Sequence, residues 1–275
     1  MHGDFRECQF EKDVTFRGSR FNGFALFDEA NFLGNAYFGE AQFDGFISFF
    51  ENTVFNRIVE FERTQFKGDA YFDGAMFGKG SKLNLNRAKF GRFYINWRSI
   101  EESLVYDGAA YLALVKNYRD LERYEEANEC YYAYRVKSLG SGPLDYLEWI
   151  FYGFGVKPSY PFVWSIFSIF FFGILFWKGN GIRKVVRKEI REKEPTDQAA
   201  EMTSRTIYRE EQMTLKDPFL FSLITFTSRL TSFVYPSVDF KAEGWHKRLA
   251  ILEQFLGSLF IGLLIAAITR TYLVR

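Results

Sequence analysis

The chain has 275 residues, a formal net charge of +1 and an aromatic content of 20%, which includes 34 phenylalanines. A charge so near neutrality gives no indication of nucleic-acid binding, and two histidines and two cysteines are too few for a metal cluster or a disulfide framework. Residue spacing reveals neither a glycine-rich phosphate loop nor a nucleophile paired with a base. We therefore expect no catalytic residue, no bound metal, no cofactor and no enzymatic activity.

A short triplet recurs from Cys8 to Phe90: a small residue, any residue, then phenylalanine, in steps of five or six residues. Such steps fit neither a 3.6-residue helix nor a two-residue strand alternation. They predict a four-sided coil in which each side points one large and one small residue inward, with Cys8 at a small interior position. Polar residues and glycines are expected at the corners. A register slip is predicted near Phe49-Phe50, where Phe49, Phe55 and Phe61 are separated by two steps of six residues in a row. The predicted inward phenylalanines are Phe16, Phe21, Phe27, Phe32, Phe38 and Phe43.

This triplet pattern resembles the pentapeptide-repeat family over roughly residues 5–95. The resemblance implies a right-handed quadrilateral β-helix of somewhat under four coils, which needs a cap at each end. We assign residues 1–97 to this solenoid. Some solenoids of this family mimic DNA, which requires a strongly acidic face, whereas here basic residues offset the acidic ones. A rigid spacer or an oligomer-organising surface is the favoured interpretation.

The next segment, residues 98–142, loses the repeat and gains apolar residues at three- and four-residue spacings, which predicts a helical hairpin that caps the solenoid. Cys130 falls on its second helix and is interpreted as packing. Residues 143–159 contain the aromatic run Leu144–Tyr152, which is too short to cross a membrane. We predict a helix at the level of the lipid headgroups, with a buried core helix as the alternative.

Two apolar segments, residues 160–178 and 248–270, are long enough to cross a membrane. Trp164 and Trp177 suit the two interfaces that the first segment would meet. The second segment contains Glu253, and an intramembrane carboxylate is costly unless it faces a partner or water. Small residues in the second segment allow close helix packing or local bending, and they are Gly257, Ser258, Gly262 and Ala266.

A shorter apolar run lies between the two spans, within residues 217–240. Asp217-Pro218 suits a helix start, and the run turns polar near Ser228, before it is long enough to cross. The order of helix, half-helix, polar loop and helix resembles the two-transmembrane potassium-channel superfamily, in the branch with N-terminal pentapeptide repeats. This resemblance implies a pore helix before Ser228, an inner helix beginning at Arg248, and a homotetramer.

The potassium filter of that superfamily, Thr-Val-Gly-Tyr-Gly, has no counterpart here. The segment from Ser228 to Tyr235 contains no glycine, and Arg229 would repel cations. We therefore expect a wider pore that is not potassium-selective, with Arg229 either near the pore or paired with Glu253. The predicted pore-loop residues are Thr225, Thr227, Ser228, Arg229, Leu230, Thr231, Ser232 and Tyr235.

The loop between the spans, residues 179–216, opens with a run rich in basic residues. The positive-inside tendency favours the cytoplasm for such a loop, whereas the superfamily topology places it outside with both termini in the cytoplasm. We keep the superfamily topology, because no secretory signal that would export the solenoid is recognised. Outside, the basic loop would either form a mouth that concentrates anions or act as a solvated linker.

Together these features predict a multidomain membrane protein with an N-terminal β-helix, a helical cap and a C-terminal all-α pore module with a re-entrant pore helix. We interpret it as a multi-pass channel of the plasma membrane that conducts inorganic ions, weakly selective or anion-permeable. It would be a homotetramer, with a pentamer as the alternative, embedded in the lipid bilayer and without a nucleic-acid partner. Control by the solenoid would act through the Leu144–Tyr152 helix on the first span. The rival interpretation is a non-conducting, membrane-anchored scaffold or partner-binding solenoid.

Overall fold

The computed structural model describes residues 3–45, 47–140, 142–179, 181–193, 202–228 and 238–273. These residues form two compact units that divide between Trp149 and Ile150. The first unit contains the repeat and the helices that follow it. The second contains the two long apolar helices.

Short strands wind residues 3–94 into a β-solenoid of about four turns, which confirms the predicted repeat architecture. The strands are β1 Gly3–Asp4, β2 Gln9–Phe10, β3 Val14–Thr15, β4 Arg20–Phe21, β5 Ala25–Leu26, β6 Asn31–Phe32, β7 Ala36–Tyr37, β8 Gln42–Phe43, β9 Ile47–Phe49, β10 Val54–Phe55, β11 Ile58–Glu60, β12 Gln65–Phe66, β13 Asp69–Tyr71, β14 Met76–Phe77, β15 Lys82–Asn84 and β16 Phe93–Tyr94. Strands one turn apart pair in parallel and build four sheets, ordered β1-β5-β9-β13-β16, β14-β10-β6-β2, β15-β11-β7-β3 and β12-β8-β4. Four sheets give the four sides that the repeat predicts.

Phenylalanine rings stack in columns through the solenoid interior, as the sequence predicts. In one column Phe5, Phe27, Phe50 and Phe72 follow one another with ring centroids 4.9, 4.8 and 4.5 Å apart. Burying one such ring stabilises the fold by about 1.5–3 kcal/mol. The remaining columns begin with the pairs Phe10–Phe32, Phe16–Phe38 and Phe21–Phe43.

The register of the repeat changes near Phe49-Phe50, as predicted, but the spacing counted from Phe49 picks the wrong inward residue. Phe50 is the fully buried residue, and it stacks between Phe27 and Phe72, while Phe49 points outward and stacks on Tyr71. The step from the preceding inward phenylalanine, Phe43, to Phe50 is seven residues, one more than the longest step of the predicted repeat. Two adjacent phenylalanines cannot reveal by spacing alone which one points inward.

Cys8 is exposed, although it holds the predicted small position. Its carbonyl accepts a hydrogen bond from the Asn31 N–H at 2.9 Å, which places it one turn before Ala30. Ala30 is fully buried by its neighbours. Cys8 lies on the outermost turn of the described solenoid, and its side chain is exposed rather than packed in the interior as predicted.

Several solenoid corners are left-handed without glycine, which the sequence did not indicate. Glu29, Glu40 and Arg63 adopt φ angles of 59°, 59° and 56°. Residues with a Cβ resist this region, so the stacked turns on either side must hold these corners. Lateral hydrogen bonds between turns provide that restraint, for example Glu29 N–H to the Glu51 carbonyl at 2.8 Å.

Three helices follow the last solenoid turn and close it, as the predicted cap requires. They are α1 Trp97–Ile100, α2 Gly108–Asp120 and α3 Tyr124–Lys137. Trp97, Tyr111 and Tyr118 are fully buried and belong to the same hydrophobic core as the phenylalanine columns. Asn117 of α2 is also buried, and its side-chain amide bonds both backbone groups of Phe93 in the edge strand β16. The cap therefore replaces the missing next turn.

The helix α4, Pro143–Tyr152, turns its charged residues toward α3. Arg135 of α3 contacts Asp145 at 3.4 Å and Glu148 at 3.0 Å. Apolar residues on another side are exposed, including Leu144 at 72% and Leu147 at 50%. No residue of α4 up to Tyr152 is buried, which argues against the alternative of a core helix.

Three helices pack on one another in the second unit: α5 Ser159–Gly179, α6 Asp217–Thr227 and α7 His246–Ile268. A 3-10 turn at Gly153–Gly155 precedes α5, and a π-helical stretch at Thr269–Leu273 follows α7. Two helices are long and apolar enough to cross a membrane, residues 159–179 and 246–271, with mean hydropathy of 1.8 and 2.1.

An antiparallel sheet lies between α5 and α7 along the chain, so the predicted all-α module is wrong in this respect. Its strands are β17 Ile182–Lys193, β18 Met202–Glu211 and β19 Val238–Ala242, in the order β18-β17-β19. The basic run of β17 was interpreted through its charge alone. Val185, Val186 and Ile190, which are β-branched residues typical of strands, carry the signal that was passed over.

Candidate functional site

The three helices of the second unit meet at one buried polar contact. Ser222 of α6 and Glu253 of α7 are both fully buried, and the Ser222 hydroxyl is in hydrogen-bond contact with Glu253 Oε1. The same hydroxyl lies 2.8 Å from the carbonyl oxygen of Ile169 in α5. Ser222 therefore joins all three helices.

From the sequence we expect a carboxylate in an apolar helix to face a partner or water, and Glu253 has such a partner in Ser222. Its second oxygen, Oε2, has no hydrogen-bond partner among the described residues. Burial of a polar group without a full set of partners costs free energy. The sequence did not single out Ser222, because a serine in an apolar run also occurs where it bonds only its own helix.

A second polar contact fixes the C-terminal end of α6. Gln254 Nε2 donates to Ser228 Oγ at 2.9 Å, one residue along α7 from Glu253. The Ser228 hydroxyl also bonds the Thr225 carbonyl, and the Thr227 hydroxyl bonds the Leu223 carbonyl, each at 2.8 Å. The end of α6 is thus bonded to α7 and to its own last turn.

Two glycines let the helices approach closely at the same level. A Cβ at Gly257 of α7 would overlap the carbonyl oxygen of Phe226 in α6, and a Cβ at Gly173 of α5 would overlap the ring of Phe219. Gly257 is therefore a packing position, which is one of the two roles that the sequence allowed. Gly173 was missed, although a single glycine within an apolar helix is the usual signal of such a contact.

The other small residues of α7 lie away from these contacts. A Cβ at Gly262 would meet nothing within 4 Å, and Ala266 is exposed. Ser258 bonds the Gln254 carbonyl of its own helix at 2.8 Å. Within one chain, the predicted small-residue face is thus only partly covered. Five predicted pore-loop residues lie outside the described residues: Arg229, Leu230, Thr231, Ser232 and Tyr235.

The sheet between α5 and α7 pairs opposite charges. Arg183 contacts Glu210 at 3.2 Å and Glu243 at 3.3 Å. Lys184 contacts Glu211 at 3.6 Å and Asp217 at 3.5 Å. Residues 179–216 contain nine basic and seven acidic residues, a net charge of +2. The side chains of the remaining basic residues of β17 lie outside the described part, and they are Arg187, Lys188, Arg191 and Lys193.

Comparison with protein families matches residues 5–50 to the family described as pentapeptide repeats (9 copies). This match confirms the sequence resemblance for the repeat portion of the chain, which the four-sided solenoid also supports. No curated protein and no solved structure matches the chain. The resemblance of the C-terminal unit to a channel module therefore rests on its sequence.

Proposed function

We propose that this chain is the pore-forming subunit of a homo-oligomeric ion channel, in which α5 and α7 cross the plasma membrane and α6 is a re-entrant half-helix. The observation that carries the proposal is the buried junction of Ser222 and Glu253. It holds an apolar helix of 11 residues between helices of 21 and 23 residues. A helix of that length extends about 16 Å, roughly half of the hydrocarbon core.

The exposed surfaces of α5 and α7 support a membrane location. Only 28% and 22% of their apolar windows are buried inside the chain, whereas the core helix of a soluble protein is mostly buried. Large apolar side chains cover the rest, and Phe170, Ile251 and Phe255 are 57%, 67% and 62% exposed. Such a surface is stable against lipid or against another copy of the chain.

Several copies are required, because two spans and a half-helix cannot surround an aqueous path on their own. The small-residue face of Ser258, Gly262 and Ala266 would allow α7 helices of neighbouring copies to approach closely. The superfamily resemblance favours a tetramer. A pentamer is the alternative, since the loop lacks the glycine filter that goes with fourfold symmetry in that superfamily.

The same glycine-free loop leads us to propose weak selectivity or anion permeation rather than potassium selectivity. The solenoid and the C-terminus would lie in the cytoplasm, and α4 would lie at the headgroup level with its exposed leucines toward lipid.

The decisive experiment is the reversal potential of the purified full-length protein in a planar bilayer under a KCl gradient. A value near the chloride potential or near zero supports the proposal, whereas a value near the potassium potential contradicts the proposed selectivity. If Arg229 belongs to the pore loop as we propose, Arg229→Glu should move the reversal potential toward that of potassium, because it replaces a positive charge of that loop by a negative one.

The matched control is Arg98→Glu, the same charge reversal at an exposed position of the cap, which should leave the potential unchanged. Protein that is assembled but carries no current would contradict the channel. That result would favour the non-conducting, membrane-anchored pentapeptide-repeat scaffold.

A further inference from the structure

The turn between α4 and α5 has a left-handed backbone conformation that is unfavourable for one of its residues and needs stabilising contacts. Gly153, Phe154 and Gly155 are consecutive left-handed residues, with φ of 55°, 55° and 78°. Glycine adopts this region readily, but phenylalanine resists it. Phe154 is 2% exposed, so packing around its side chain maintains the turn. The turn lies within the second unit and joins the last residues of α4 to the start of α5.

An arginine at the far end of α7 bonds this turn. Arg270 Nη1 donates to the carbonyl oxygen of Phe154 at 3.2 Å. A Cβ at Gly155 would lie 3.1 Å from the same nitrogen and 2.9 Å from the Tyr152 ring, so a larger residue here would displace the guanidinium or the ring. Arg270 belongs to the π-helical stretch Thr269–Leu273, and such stretches interrupt the regular hydrogen bonding of a helix and often mark functional positions.

Two more contacts hold the neighbouring residues against both long helices. The Phe151 and Phe260 rings pack with centroids 6.0 Å apart, which places the end of α4 on α7. Trp164 Nε1 of α5 donates to the Ile150 carbonyl at 2.8 Å. Residues 150–155 are therefore bonded to the start of α5 and to the last turns of α7 together.

We propose that this turn is a latch, in which Arg270 and the Phe154 carbonyl couple movement of α4 directly to the C-terminal end of α7. From the sequence we expected the solenoid to act through α4 on the first span, α5. The bond between Arg270 and Phe154 connects the same region to the second span, α7. The inference rests on the proposed function, in which the end of α7 borders the pore. Such a latch regulates α7 if its bond forms in one conformation of the helix and is broken in the other, because the bond then favours the first conformation.

Hydrogen exchange of the full-length protein in lipid nanodiscs tests the latch without requiring conduction. In Arg270→Ala, the amides of residues 150–156 should exchange about ten- to a hundredfold faster, as expected for loss of one charge-assisted hydrogen bond. Gly155→Ala should in turn accelerate exchange in residues 266–273, because coupling between two sites is reciprocal. The matched control, Arg248→Ala, removes an exposed arginine at the opposite end of α7 and should leave both segments unchanged.

Unchanged exchange of residues 150–156 in Arg270→Ala would overturn the inference. Arg270→Lys, which keeps the charge but not the planar donor group, should give an intermediate rate if the bond itself matters. In bilayers, Arg270→Ala should also change the open probability, and an unchanged value in a conducting protein would overturn the regulatory role. If exchange responds as expected and no variant conducts, the latch stands as a structural coupling and the channel proposal fails instead.

Discussion

The junction between the solenoid and its cap allows a quantitative prediction at Asn117. Its Oδ1 accepts from the Phe93 N–H at 2.9 Å, and its Nδ2 donates to the Phe93 carbonyl at 2.8 Å. Asn117→Ala leaves both backbone groups buried without a partner, at about 1–3 kcal/mol each. We take about 3 kcal/mol as the total destabilisation of the cap, which corresponds to about 150-fold more frequent opening.

The thiol of Cys130 reports this opening. Cys130 is fully buried beneath α2, with its sulfur 3.7 Å from the Tyr111 carbonyl, and burial raises the pKa of the thiol above its ordinary value. In a Cys8→Ser background it is the one remaining cysteine of the chain. A thiol reagent then labels it only when the cap opens, at a rate proportional to the population of the open state. Asn117→Ala should label about 150-fold faster than the parent.

Two further variants separate the hydrogen bonds from other effects of substitution. Lys116→Ala changes an exposed neighbour on the same helix and should label like the parent. Asn117→Leu fills much of the space but provides neither bond, so it should label nearly as fast as Asn117→Ala. Labelling of Asn117→Ala within threefold of the parent would refute the argument that this amide replaces the next strand.

Two other predictions concern packing and pH. Gly257→Ala should lower the melting temperature of the detergent-solubilised protein, because overpacking against a backbone carbonyl of α6 costs about 1–3 kcal/mol. The control is Gly142→Ala, at a position where a Cβ meets nothing within 4 Å. Equal melting temperatures of the two variants would contradict the close contact. Burial raises the pKa of Tyr111 to about 12, and it also raises the pKa of Tyr118 and of Cys130. In the unfolded chain these groups lose their protons near the ordinary pKa values of 9.0 for cysteine and 10.0 for tyrosine, whereas the folded cap still holds them. The contribution of these three groups to stability against urea should therefore be constant below about pH 9 and fall as the pH rises from there. Near-ultraviolet circular dichroism measures the unfolding by urea at each pH. Tyr118→Phe should reduce the loss of stability with rising pH, because it removes one of the three groups. A stability that increases above pH 9 would contradict the predicted direction.

The solenoid was predictable because its information is local. Each turn contacts only the turns beside it, so a repeat of five or six residues is enough to specify which side chains point inward. The cap helices were likewise visible in apolar spacing. The prediction failed where two adjacent phenylalanines, Phe49 and Phe50, satisfied the same pattern, because only contact with Phe27 and Phe72 selects between them.

The contacts of the second unit were not predictable in the same way. Ser222 and Glu253 are 31 residues apart, and Arg270 and Phe154 are 116 residues apart. No periodicity links such positions. The β17–β18 hairpin was missed for a different reason, because its basic residues were interpreted by their charge while the β-branched residues Val185, Val186 and Ile190 indicate a strand.

Short-range patterns of residue size and polarity were enough to predict the four-sided solenoid, the helical cap, and two helices long and apolar enough to cross a membrane. The folded structure was needed to show that Phe50 rather than Phe49 points inward, that Asn117 bonds the last strand, and that Ser222 joins three helices at Glu253. Burial and hydrogen bonding between distant residues depend on where the chain brings them, and composition and spacing do not record that distance.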